Sequence, residues 1–101
     1  MSYVIRETFV AKPGQASKLA KLMKEAMGMM PRGNGKTRIM TDFVGPFNTV
    51  VMDTEVEDIS TFDREMKDYM TDPKLAQFRD KMKGYTEMYQ EGRREIFRTI
   101  E

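Results

Sequence analysis

The stretch Thr49-Val50-Val51-Met52-Asp53-Thr54-Glu55-Val56-Glu57 decides how the chain reads. Val50, Met52, Thr54 and Val56 recur at every second position. That is the period of a β-strand, whose side chains alternate between two faces. Thr49, Val51, Asp53 and Glu55 share the opposite face, so two carboxylates stand in mid-strand. Upstream, Gly45-Pro46-Phe47-Asn48 is a short turn. Thr37 to Val44, with Ile39, Met40, Phe43 and Val44, reads as another strand. Two strands joined by so short a loop predict a hairpin.

Working outward, Tyr3 to Lys12 is a strand that stops at Pro13-Gly14. Its apolar residues fall on both parities: Val4 and Val10 point one way, Tyr3, Ile5 and Phe9 the other. A strand covered on one face alternates more cleanly, so both faces are expected to be partly buried. From Gln15 the period changes. Leu19, Leu22, Met23, Ala26, Met27 and Met30 have the spacing of an amphipathic helix, ended by Pro31-Arg32-Gly33-Asn34-Gly35. After the central strand, Asp58-Ile59-Ser60-Thr61 opens a second helical region with Ile59, Phe62, Met66 and Met70 as its stripe. Asp72-Pro73 interrupts it, because Pro lacks an N–H and disfavours helix in the residue before it. Helix resumes with Leu75, Phe78, Met82, Tyr85 and Tyr89 as its stripe, and Gly92 is read as its end. Arg93 to Ile100 is the last strand.

The order β-α-β-β-α-β, in a single domain of 101 residues, predicts a ferredoxin-like α+β sandwich. This is a four-stranded antiparallel sheet with two helices on one face. The other face has no cover within the chain, yet it carries apolar residues. A large bare apolar face is unusual on a monomer. The expectation is a homodimer packed through its sheet faces, with a polar cavity at that interface or between sheet and helices.

Composition narrows the chemistry. The chain has no His, no Cys and no Trp. That excludes a Ser-His-Asp or Cys-His triad, disulfides, and His or Cys ligation of a metal or haem. Seventeen Lys and Arg face sixteen Asp and Glu, which argues against a nucleic-acid or membrane-surface partner. The first residues lack the basic start and apolar core of a signal peptide, and no apolar run is long enough to span a membrane. A soluble cytoplasmic protein is expected. The eleven Met fall mostly at helical spacing and read as core filling, not as a soft-metal site. Gly33-Asn34-Gly35-Lys36-Thr37 is too short for a phosphate loop and precedes a strand, so it reads as a turn.

Two segments carry a resemblance. Asp72-Pro73-Lys74-Leu75-Ala76-Gln77-Phe78, followed by Gly92-Arg93-Arg94-Glu95-Ile96-Phe97-Arg98, is similar to the end of the NIPSNAP family. The first strand running into Lys12-Pro13-Gly14 resembles the start of the wider dimeric α/β-barrel superfamily. The resemblance implies a dimeric barrel with an interior cavity in each protomer. The superfamily includes antibiotic-biosynthesis-type monooxygenases, haem-degrading monooxygenases and small isomerases; NIPSNAP-like members are mostly of unassigned chemistry. The haem-degrading members use an Asn on the first strand, a Trp and a His. Here Glu7 holds the Asn position and the other two are missing, so haem degradation is rejected and no cofactor is expected.

The candidate site residues are charges and Tyr side chains. Asp53 and Glu55 face away from Val50, Met52 and Val56, towards a cavity or a partner subunit. A carboxylate so placed is costly without a cation, and Arg6, Arg38, Arg94 and Arg98 are available. Consecutive residues point to opposite sides, which leaves open whether Arg6 or Glu7 faces the cavity. One reading makes Asp53 or Glu55 a general base of raised pKa, with an Arg anchoring a small organic acid. The other makes these charges an ion-pair network across the interface. Tyr69 completes the candidate ligand set. The expected function is small-molecule binding. The alternatives are a cofactor-independent monooxygenase or isomerase for a small aromatic or carboxylic substrate, and a non-catalytic interaction module.

Overall fold

The computed structural model describes residues 2–29 and 36–100. Its strands are β1 (Tyr3–Ala11), β2 (Thr37–Thr41), β3 (Thr49–Val56) and β4 (Tyr89–Arg98). Its α-helices are α1 (Ala16–Met27), α2 (Ile59–Thr71) and α3 (Ala76–Lys81). The sheet is antiparallel in the order β2-β3-β1-β4, which is the ferredoxin-like arrangement. The predicted breaker turn 31–35, including the Gly33 and Gly35 of the rejected phosphate-loop reading, lies outside the described residues, as does Met30.

The register sorts side chains by face. Ile5, Glu7 and Phe9 on β1 stand opposite Thr54, Met52 and Val50 on β3. With Ala11 they face the helices, where Phe9, Ala11, Leu19, Met23, Ala26, Val50, Met52, Leu75, Phe78 and Met82 form the core. Val4, Arg6, Thr8 and Val10 face the other way, opposite Glu55, Asp53, Val51 and Thr49. β1 therefore carries two apolar sets because each serves a different side of the sheet.

Gly14, at φ 79°, turns the chain from β1 into α1, which buries Leu19, Met23 and Ala26 at helical spacing. Asp58 caps α2 by accepting the Thr61 N–H at 2.9 Å. Asp72 leaves the helix in extended backbone, as the residue before Pro73 should, and accepts the Lys74 N–H at 2.9 Å. Pro73–Leu75 makes one 3-10 turn before α3. Arg79 then donates to the carbonyls of Tyr69 and Asp72 at 2.8 and 2.9 Å. The first of these satisfies a carbonyl that α2 leaves open, since the residue four places after Tyr69 is Pro73.

Three sequence expectations need correction. The stripe Ile59, Phe62, Met66 and Met70 is not core, for α2 has no buried residue and Met70 is 67% exposed. α2 stands off the sheet and roofs a space. β2 ends at Thr41, short of Val44, because the Asp42 carboxylate folds the loop around itself, accepting the Phe47 and Thr49 N–H groups at 2.7 and 3.1 Å. Phe47 and Asn48 take positive φ there, and Phe43, Val44 and Phe47 are left exposed. The last helix ends at Lys81, well before Gly92. Gly84 at φ 83° turns the chain into a 3-10 turn at Tyr85–Glu87, and β4 starts at Tyr89. Gly92 lies inside β4, opposite Phe9, whose ring occupies the space a side chain would need.

A Cβ at Gly92 would meet the Phe9 ring at 3.2 Å and Tyr89 at 3.3 Å. Gly92→Ala is expected to destabilise the fold by about 1–3 kcal/mol through overpacking, although Ala suits a strand better than Gly. Chemical denaturation measures this, and an Ala variant as stable as the parent would show that the Phe9 ring has room to yield.

Candidate functional site

The alternation of β1 separates the candidate residues into two groups. Glu7 points to the helices; Arg6 points to the open face. This resolves the choice left by the sequence.

On the open face, Arg6 grips Asp53 with a two-pronged ion pair. Its Nε donates to Oδ1 and its Nη2 to Oδ2, both at 2.8 Å. Arg38, opposite Asp53 on β2, brings a second guanidinium to 4.0 Å. Between them Asp53 is only 4% exposed, while Arg6 rests over the Phe97 ring at 5.5 Å. The hydrogen bonds from Arg6 hold the Asp53 carboxyl below its ordinary value, outweighing the opposing effect of burial. The expectation of a raised pKa at Asp53 is therefore corrected: a carboxylate held low by Arg6 is a poor proton acceptor. Glu55 is exposed on the same face, opposite Val4. Neither carboxylate faces the space beneath the helices.

Under the helices, Glu7 and Arg94 stand opposite each other on β1 and β4. Arg94 Nη2 donates to Glu7 Oε2 at 3.2 Å, and its guanidinium lies 5.3 Å from the Phe62 ring centre on α2. Glu7 is largely covered; Arg94 is about half exposed. They lie on the floor of a pocket of about 310 Å³ between the sheet and the helices. Met23, Met27, Met52, Met66 and Met82 line its walls with Phe62, Tyr69, Phe78 and Tyr85. Tyr69 meets Phe78 edge-on at 4.8 Å, and Tyr85 meets Phe9 edge-on at 6.5 Å. Burial raises the Tyr85 pKa, with further contributions from Tyr89, Tyr69 and Glu7, so its phenol stays protonated at neutral pH.

Of the candidate residues, the structure brings Glu7, Tyr69 and Arg94 to the pocket. Arg6, Asp53 and Glu55 lie across the sheet. Arg98, exposed and opposite Tyr3 near the end of β4, joins neither group. Phe62 and Tyr85, outside the candidate ligand set, line the pocket as well. Phe62 looked like core because its spacing matches a helix stripe. The helix whose stripe would include Tyr85 ends at Lys81, before it. Gly84, immediately upstream, was the available signal.

Asp53→Asn is expected to cost about 1–3 kcal/mol at pH 7, since the paired carboxylate is buried and Arg6 is partly solvated. A depressed folded pKa stabilises above the unfolded value and loses that contribution as pH falls through the folded one. The stability gap between parent and variant should thus narrow below the ordinary 3.8. Urea midpoints across the acid range test it, and a gap that is flat with pH would contradict the pairing.

No known family profile matches the chain, and no curated protein matches it in sequence. Solved structures do match. A NIPSNAP-like domain protein from Burkholderia xenovorans is 17% identical, with a TM-score of 0.78 over 98% of this chain and 85% of its own. A NIPSNAP family protein from Agrobacterium tumefaciens is 11% identical, with a TM-score of 0.81 over 99% of this chain and 94% of its own. A putative antibiotic biosynthesis monooxygenase from Chloroflexus aurantiacus is 14% identical, with a TM-score of 0.66 over 100% and 97%. Among the described residues no helix is long and apolar enough to cross a membrane. The chain has the ferredoxin-like fold of NIPSNAP-family structures.

Proposed function

We propose that residues 1–101 form one NIPSNAP-like domain, working as a homodimer that binds a small organic molecule between its sheet and helices. The observation that carries this reading is the roofed pocket. A helix that fully buries none of its apolar stripe leaves Met and aromatic walls around a space of about 310 Å³. That volume is at the lower end of small-molecule sites, which are mostly apolar with a few convergent polar groups. Glu7, Arg94 and Tyr85 are such groups here. A cytoplasmic setting, consistent with the absence of Cys, belongs to the same reading.

The dimer is supported by the open sheet face. Val4, Val10, Val51, Met40 and Phe97 share it with the Arg6–Asp53 pair. Phe97 remains 45% exposed and Met40 36%. An apolar face around a satisfied ion pair suits a second copy better than water. The likeness to a monooxygenase gives a second reading, cofactor-independent oxygenation or isomerisation in the same pocket, favoured by the convergence of a carboxylate, a guanidinium and a phenol. Oxygen uptake with a bound aromatic would select it.

Small neutral aromatics are expected to raise the melting temperature, and Met66→Trp, which fills the pocket from the α2 side, should abolish that rise while leaving the free protein folded. No stabilising compound, or a rise that survives Met66→Trp, would sink the pocket reading and leave association as the function. Light scattering should find dimers for the parent and monomers for Val51→Lys, where a charge enters the apolar face. A monomeric parent would refute the dimer.

A further inference from the structure

The Glu7–Arg94 pair lies on the floor of a mainly apolar pocket, and its arrangement restricts what can sit on it. Four carboxylates (Glu7, Glu65, Asp68, Asp72) and two guanidiniums (Arg64, Arg94) line the pocket among the described residues. This balance disfavours a carboxylate ligand, which would approach Glu7 directly. On the floor itself an organic cation would meet a guanidinium, because Arg94 already lies over the Phe62 ring, 5.3 Å from its centre. That ring face is therefore closed to a ligand cation.

A neutral ligand meets neither obstacle. Arg94 uses one Nη2 bond, at 3.2 Å, on Glu7 Oε2. A guanidinium has five N–H donors in a fixed fork, and an ionised carboxylate has several acceptor positions. The pair therefore offers a donor beside an acceptor along neighbouring strands. Its complement is a group with an acceptor beside a donor, such as a cis amide or lactam with C=O and N–H on one edge. A small, mainly apolar pocket walled by aromatic rings and thioethers suits a flat ring system behind that edge.

We infer that the Glu7–Arg94 pair is a recognition element for a small, neutral, flat ligand with adjacent hydrogen-bond donor and acceptor, of the aromatic lactam class. This rests on the reading of the space as a ligand pocket. Glu7 accepts the ligand N–H, Arg94 donates to its carbonyl, and the rings lie among the walls. A site built to pair both groups rejects analogues that leave either one unpaired.

Four probes of similar outline test it by calorimetric titration of the intact protein at neutral pH: 2-quinolinone, quinoline, 2-naphthoate and 2-naphthylmethylammonium. 2-Quinolinone should bind at least tenfold more tightly than each of the other three. In a double variant, Glu7→Met with Arg94→Met, the two neutral probes should bind within twofold of each other. Tightest binding by either charged probe, equal binding of the two neutral probes by the parent, or a lactam preference that survives the double variant would overturn the inference and leave the pocket standing. If no probe binds the parent, the pocket reading itself falls. The order of affinities in the parent decides the matter even if the double variant fails to fold.

Discussion

The structure depends on one geometric constraint: adjacent residues of β1 point to opposite sides of the sheet. Arg6 and Glu7 are neighbours in sequence, yet each belongs to a different electrostatic unit. Arg6 neutralises Asp53 across to β3, on the open face. Glu7 holds Arg94 across to β4, under the helices. A slip of one residue in the β1 register would exchange the two charges and also expose Ile5 and Phe9. The charges and the core thus specify the same register, a local agreement of the kind that makes a fold unique.

The two pairs differ in what they can do. Asp53 is gripped at both oxygens and shielded by two guanidiniums, so its acceptor positions are already engaged. Glu7 and Arg94 share a single contact, beside a space. A loosely saturated pair next to a pocket retains hydrogen-bonding capacity that a saturated one lacks. The mid-strand carboxylates drew attention in the sequence because charges in a strand are costly. The more conspicuous of them, Asp53, is paired with Arg6 and approached by Arg38.

Much of the fold was legible. The period of two in Thr49–Val56, the period near 3.6 in α1, and the Asp72-Pro73 break each follow from local chemistry, and each element is where that chemistry puts it. What was not legible depended on distance. The stripe Ile59, Phe62, Met66 and Met70 has the right spacing for core, but spacing shows which face is apolar, not what lies opposite. Gly92 reads as a helix end because Gly commonly is one; in the structure it packs against the ring of Phe9, remote in sequence and opposite in the sheet. The choice between Arg6 and Glu7 needed the register, which depends on pairing across the sheet.

The absence of Trp has an optical consequence. Tyr is the only strongly fluorescent residue in the chain, and there are four. Tyr69 and Tyr85 line the pocket, and Tyr89 lies 5.8 Å from Tyr85, ring centre to ring centre. Only Tyr3 sits apart, at the start of β1. The protein's emission thus originates largely around the pocket, with no indole to absorb its energy.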